Sequence, residues 1–188
     1  MTMLLCLTAA IALALMYSQR KARRWSRLIG QGADMVRGGF GDQAESCLRG
    51  ALAIASSARG PLWLSRRLST LLPLAHLLLN RGRYQEAAEV AVEYVEEVRR
   101  RAMDSDLIAR GLSLLGDISA ARGSLVEAEA LYRATLEMEE RLLGEHSIEL
   151  APTMVKLGSV LQNQSRRGEA AVLFRRCAEL VGGEAAVT

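Results

Sequence analysis

Side chains able to carry covalent or acid–base chemistry are few and scattered in this 188-residue chain. There are two histidines, His76 and His146, and three cysteines, Cys6, Cys47 and Cys177. A zinc site needs Cys or His in short paired spacings, and a disulfide framework needs an even set. Neither pattern is present, so the cysteines read as apolar packing residues. Catalysis by a histidine needs a second titratable group to orient it or exchange its proton, and the spacing supplies none to either. No glycine-rich phosphate loop precedes a helix and no His/Glu metal motif occurs. The reading is a non-enzyme without metal or cofactor. Glu96/Arg100, Glu97/Arg101 and Glu137/Arg141 stand four apart in the order that supports a helix, and mark solvated faces.

The elements that would position any site are helices. Half of the residues are hydrophobic, only 4% are aromatic, and there are three prolines, a composition rich in Ala, Leu, Glu and Arg that favours an all-α fold. The net charge of +3 is local. Arg20, Lys21, Arg23, Arg24 and Arg27 come before the first acidic residue, and the other 19 basic residues against 21 acidic ones leave a balance of −2. A nucleic-acid partner is not expected, because such a partner calls for positive charge over a folded face.

From Thr2 to Gln19 there is no charge, and Met3 to Met16 is apolar apart from Thr8. As a helix the uncharged run covers roughly 27 Å, near the lower limit for a bilayer span. Three readings compete. A cleaved secretory signal would carry its charges before the apolar run, and its only small-residue cut, Ala12-Leu13-Ala14, leaves a short core. A mitochondrial presequence would be amphipathic, with arginines spread through it. An uncleaved anchor fits best, with Arg20, Lys21, Arg23 and Arg24 as the membrane flank and Tyr17 and Trp25 as interfacial rings. That places residues 1–24 as a single-pass anchor, with the rest on the cytoplasmic or equivalent positive-inside face. An organelle membrane such as the mitochondrial one stays open.

Beyond the anchor the sequence repeats. Leu115-Gly116 is followed by Gly123, Ala128, Tyr132 and Thr135; Leu157-Gly158 is followed at the same offsets by Ser165, Ala170, Phe174 and Cys177, a period of 42 residues. The offsets recur upstream as Ala75, Gly82, Ala87 and Ala91, and as Gly32, Gly39, Ala44 and Leu48. Small and large residues so placed let two antiparallel helices pack closely and stack on the next pair. Each second helix carries an apolar stripe, such as Ala128, Leu131, Tyr132, Thr135 and Leu136, that only a neighbouring pair can bury. Arg59-Gly-Pro61, Asp104-Ser-Asp106 and Gly144 with Ser147 supply stops and caps.

Asn80-Arg-Gly-Arg-Tyr-Gln-Glu-Ala-Ala88 and Arg122-Gly-Ser-Leu-Val-Glu-Ala128 resemble the tetratricopeptide repeat family. The linker Leu143-Gly-Glu-His-Ser147 is similar to that of its 42-residue, kinesin-light-chain-like members. In the first unit Phe40-Gly-Asp-Gln-Ala44 is one residue out of step, and in the fourth Ser165 replaces the turn glycine. The resemblance implies a short right-handed α-solenoid of about four helix pairs over residues 25–181, with repeats near 25–60, 66–103, 107–144 and 148–181 and a flexible tail at 182–188. It further implies a concave peptide groove lined by the first helices: Arg37, His76, Asn80, Arg110, Ser113, Asp117, Ser159, Gln162 and Asn163. The carboxylate clamp known in some members is not carried over, since Ile29, Ala33, Leu72 and His76 occupy several of its places. His146 falls in a linker where the similar repeats also have His, and reads as a loop contact.

The array ends without an extra capping helix, so Leu161, Val172, Leu173 and Leu180 read as an exposed C-terminal edge, with Trp63 and Leu62 as a second contact. The expected function is a membrane-anchored scaffold or adaptor recruiting a protein or peptide. The alternative is a structural or assembly subunit of a membrane complex, packed permanently through its repeat surface.

Overall fold

The computed structural model describes the backbone of residues 2–58, 60–101 and 105–185, and the side chains of 15–58, 60–101 and 106–182. All of its regular elements are helical. In chain order they are α1 (Thr2–Arg37), α2 (Gly41–Ser56), α3 (Pro61–Asn80), α4 (Tyr84–Arg100), α5 (Ser105–Ala121), α6 (Leu125–Leu143), a 3-10 turn (Ile148–Leu150), α7 (Ala151–Asn163) and α8 (Arg167–Ala185). The chain divides into two compact units, residues 1–77 and 78–188, with α3 contributing to both.

Four turns share one geometry, and it explains the sequence period. Gly39, Gly82, Gly123 and Ser165 all adopt positive φ, at 77°, 72°, 80° and 65°. At each turn this residue's N–H reaches the carbonyl three residues back and the next N–H reaches five back, as in Arg83 N to Leu78 O (3.0 Å), Ser124 N to Ser119 O (2.9 Å) and Arg166 N to Leu161 O (2.9 Å). This is the glycine-type helix stop, in which two orphan carbonyls are satisfied. The following carbonyl then accepts the first bond of the second helix, always from the repeated alanine: Ala44, Ala87, Ala128 or Ala170. The first turn, despite Phe40, has the same bonds, including Phe40 N to Met35 O at 2.8 Å. Ser165 alone holds the left-handed conformation with a Cβ, which costs about 1 kcal/mol relative to glycine. Ser165→Gly is accordingly expected to raise stability by roughly 0.5–1 kcal/mol, read as a higher urea midpoint at unchanged slope. A lower midpoint would sink this account of the turn.

In the first unit, α1 packs on α2. Buried Ala44, Leu48, Ala51 and Ala55 of α2, with Trp63, Leu68, Leu71, Leu74 and Ala75 of α3, form its core. The Arg66 guanidinium lies 5.4 Å from the Trp25 ring and 4.6 Å from the Trp63 ring. Trp25 Nε1 also donates to Thr70 Oγ1 at 3.1 Å. These contacts correct two expectations. Trp25 is held by α3 and is not a free interfacial ring, and Trp63, 7% exposed, packs inside while its neighbour Leu62 is exposed.

Helix α1 is unbroken for 36 residues, so the basic flank and the first helix of the first repeat are one rod. Among the described residues no helix is long and apolar enough to cross a membrane. The expected anchor falls mostly on residues 1–14, whose side chains lie outside the described residues. Asp104 lies outside them too. Helix α8 runs on to Ala185, past the Gly182-Gly183 pair where the sequence suggests the start of a tail.

In the second unit, α5 packs on α6, α7 on α8, and α4 and α6 on the following first helices. Its C-terminal core gathers Ala128, Tyr132 and Leu136 of α6, Leu150 of the 3-10 turn, Met154, Leu157, Val160 and Leu161 of α7 and Ala170 of α8. The small residues of the repeat are there because aromatic rings lie directly on them. A Cβ at Gly116 would stand 2.6 Å from Tyr132 Cε1, and one at Gly158 would stand 2.6 Å from Phe174 Cε1. The two contacts are one period apart, as the two pairs are in sequence.

Candidate functional site: the inner face of the repeats

The first helices carry the residues expected to line the groove. In the first unit, Arg37 is exposed and ion-paired with Asp34 one turn away, and His76 is exposed on α3. In the second unit, Asn80, Arg110, Ser159, Gln162 and Asn163 are exposed, while Ser113 and Asp117 are half-buried.

The structure draws the half-buried pair into the scaffold itself. Lys156 of α7 donates to Ser113 Oγ at 3.1 Å and to Asp117 Oδ2 at 2.8 Å. Tyr132 of α6 donates its hydroxyl to Asp117 Oδ1 at 2.7 Å. One carboxylate therefore ties α5 to its own partner helix and to the next repeat. Burial, reinforced by the bond to Asp117, pushes the Tyr132 phenol well above the ordinary tyrosine range. Lys156 is the functional residue that sequence reasoning misses. Its partners lie 39 and 43 residues away, a separation of about one period that a search for pairs within one helix does not reach.

Arg110 is ion-paired with Asp106 at 3.0 Å, and Ser159 donates to the Val155 carbonyl at 2.8 Å. Asn80, Gln162 and Asn163 have no hydrogen-bond partner among the described residues. Asn80 and Asn163 hold the same place in the second and fourth repeats, five residues past Ala75 and Gly158. Of the expected groove set, these amides are the side chains left open to a ligand.

Two buried groups nearby are unsatisfied: the Tyr94 hydroxyl and Glu139 Oε2. Burial raises the Tyr94 phenol, and it also raises the Glu139 carboxyl against the lowering influence of Thr153 and Lys156. A second network joins α6 to the start of α8. Arg166 reaches Glu129 at 2.7 Å and Glu169 at 2.7 Å, and Gln164 Nε2 donates to the Leu125 carbonyl at 3.0 Å. Burial would raise Glu129, but its bonds to Arg166, Arg133 and Gln164 outweigh this and hold its carboxyl below the usual range. Among the described residues no cluster of His, Cys, Asp and Glu could hold a metal ion. His146 is exposed in its loop.

At the C-terminal edge, Val172 is 62% exposed and Leu173 and Leu180 are half-buried, but Leu161 is 1% exposed and belongs to the core. Leu161 is therefore removed from the edge: it faces inward from α7, beneath α8. The open positions of α8 are better found by period. In α6, Glu129, Leu136 and Glu139 are covered or half-covered, whereas their counterparts Ala171, Ala178 and Val181 in α8 are exposed.

Residues 107–181 match the family model described as Tetratricopeptide repeat. No curated protein sequence matches the chain. Among solved structures, BtubC (BKLC) from P. vanneervenii is similar with a TM-score of 0.77 and 24% identity, over 91% of this chain and 67% of that one. A putative kinesin light chain from Podosopora anserina, with nearly identical TPR-like repeats, has a TM-score of 0.71 and 21% identity over 86% of this chain and 77% of that one. The Rap conjugation gene regulator of plasmid pLS20, solved in complex with the Phr* peptide, has a TM-score of 0.70 and 17% identity over 86% of this chain. This chain spans only 42% of that regulator's length. The likeness is one of fold. Residues 107–181 belong to the tetratricopeptide repeat family.

Proposed function

We propose that the chain is a membrane-anchored, non-enzymatic scaffold that recruits a protein or peptide partner on the inner face of its repeats. The observation that carries this reading is the set of exposed amides at Asn80, Gln162 and Asn163 that have no partner among the described residues. Each offers both donors and an acceptor, which suits a peptide backbone. Ser113 and Asp117 take no direct part, because Lys156 occupies them. The peptide bound to the pLS20 regulator supports the choice of ligand class by analogy of fold alone. The uncharged run of residues 2–19 and its basic flank support the anchor.

The test is an immobilised peptide library probed with the full chain in detergent, followed by affinity measurement on the captured peptides. Asn80→Ala/Asn163→Ala is expected to weaken binding about tenfold or more, at roughly 1 kcal/mol per lost hydrogen bond. Undiminished binding by the double variant would remove the inner face as the main site.

The exposed Ala171, Ala178 and Val181 favour a second reading, an assembly subunit held through α8. Its signature is a stoichiometric subunit that co-purifies from membranes and is unaffected by the double asparagine variant.

A further inference from the structure

Arg20, Arg23, Arg24 and Arg27 stand at i, i+3, i+4 and i+7 of α1, on one face of a continuous helix. All four are exposed, and among the described residues none has an ion pair or hydrogen bond. The other side of the same turns is engaged. Lys21 donates to Ser57 Oγ at 3.1 Å, and Trp25 is held by Thr70 and Arg66. The arginine face thus points outward by construction, along about 10 Å of helix. The first acidic residue of the chain, Asp34, is neutralised by Arg37.

The repeat period shows what this face replaces. In the fourth repeat the counterparts of Arg24, Arg27 and Gln31 are Leu150 of the 3-10 turn and Thr153 and Leu157 of α7, which are 0%, 4% and 1% exposed. At Arg24 and Arg27, positions that enter the core in the fourth repeat are here charged and open, while the counterparts of Arg20 and Arg23, His146 and Glu149, are exposed there as well. The arginine face is not built to receive the apolar side of another repeat or of a second copy.

We infer that this N-terminal edge is a docking surface for a layer of anionic lipid headgroups, gripped by Arg20, Arg23, Arg24 and Arg27. The inference rests on the membrane reading above and extends it: the first repeat itself lies against the headgroups, besides being tethered near them. A membrane is favoured over other polyanions because the same helix face runs N-terminally into Met16, which is 51% exposed, and into the uncharged run. Guanidinium groups pair with phosphate in a bidentate way that suits such a layer.

The experiment is flotation of the full chain with phosphatidylcholine vesicles, with and without phosphatidylglycerol, at physiological salt. The readout is the ratio of the two partition coefficients, to which the uncharged run contributes equally in numerator and denominator. The wild-type chain is expected to prefer the anionic vesicles. Arg20→Gln/Arg23→Gln/Arg24→Gln/Arg27→Gln is expected to lower the ratio by up to about fivefold per arginine, while partition into neutral vesicles and the melting curve stay unchanged. The corresponding fourfold Arg→Lys variant is expected to keep most of the preference. A ratio unchanged in the Gln variant overturns the proposal and leaves the anchor reading intact. Absence of the wild-type chain from both vesicle types overturns the two together. Displacement from anionic vesicles by a short DNA duplex or an acidic polypeptide at equal phosphate or carboxylate concentration would overturn it in favour of that partner.

Discussion

Gly116→Ala is expected to lower the free energy of unfolding by about 1–3 kcal/mol, even though alanine is the better helix former by about 1 kcal/mol. The added methyl would stand 2.6 Å from Cε1 and 2.8 Å from Cδ1 of Tyr132. That ring cannot step aside, since it is 2% exposed and its hydroxyl is anchored to Asp117. Gly158→Ala meets Phe174 at the same 2.6 Å, but Phe174 is only half-buried and has no polar anchor. Its cost is expected to be smaller, near zero to about 1 kcal/mol, because rotation of the ring relieves the overlap. Urea melts of the two variants followed by circular dichroism decide the matter. Equal losses would mean that the aromatic anchor is irrelevant. The first unit shows the milder solution to the same problem: Gly32 faces Leu48, where a Cβ would meet Cγ at an ordinary 3.4 Å.

Asp117→Ala is expected to cost about 2–3 kcal/mol, the largest effect of any polar substitution in the second unit. Most of it comes from the Tyr132 hydroxyl, left inside the core without an acceptor. The Lys156 ammonium, 37% exposed, can turn to water, and so contributes less. Adding Tyr132→Phe to Asp117→Ala removes the orphaned donor and should recover about 1 kcal/mol. A double-mutant cycle measures that coupling. If Asp117→Ala alone changes stability by less than about 0.5 kcal/mol, the bridge between α5, α6 and α7 has no energetic weight and Asp117 returns to the ligand-binding face.

These two sites separate what the sequence makes legible from what only packing decides. The offsets of Gly116, Gly123, Ala128 and Tyr132 are backbone requirements: a close approach, a left-handed turn residue, and an alanine that donates the first bond of the second helix. Such requirements recur with the period and are visible in a single sequence. Ser165 is recognisable as the fourth turn residue because the period outranks residue type. The fate of polar side chains is less legible. Ser113 and Asp117 have the same spacing whether or not Lys156 reaches them from the next repeat, and only the packing of α7 on α5 and α6 decides it. Trp25 likewise reads as an interfacial ring by its position after an apolar run, while Arg66 and Thr70, more than forty positions away, hold it half-buried against α3. Leu161 sits in the same repeat as the edge residues, but on the side of α7 that the core requires.

The tryptophan and arginine stack of the first unit has a spectroscopic consequence. The chain has two tryptophans, and both flank Arg66 within residues 1–77. Intrinsic tryptophan emission therefore reports on that unit alone, whereas backbone circular dichroism weighs all eight described α-helices. Denaturation followed by the two signals in parallel shows, without any label, whether residues 1–77 and the unit that holds the family-matched residues lose their structure in one transition or in two.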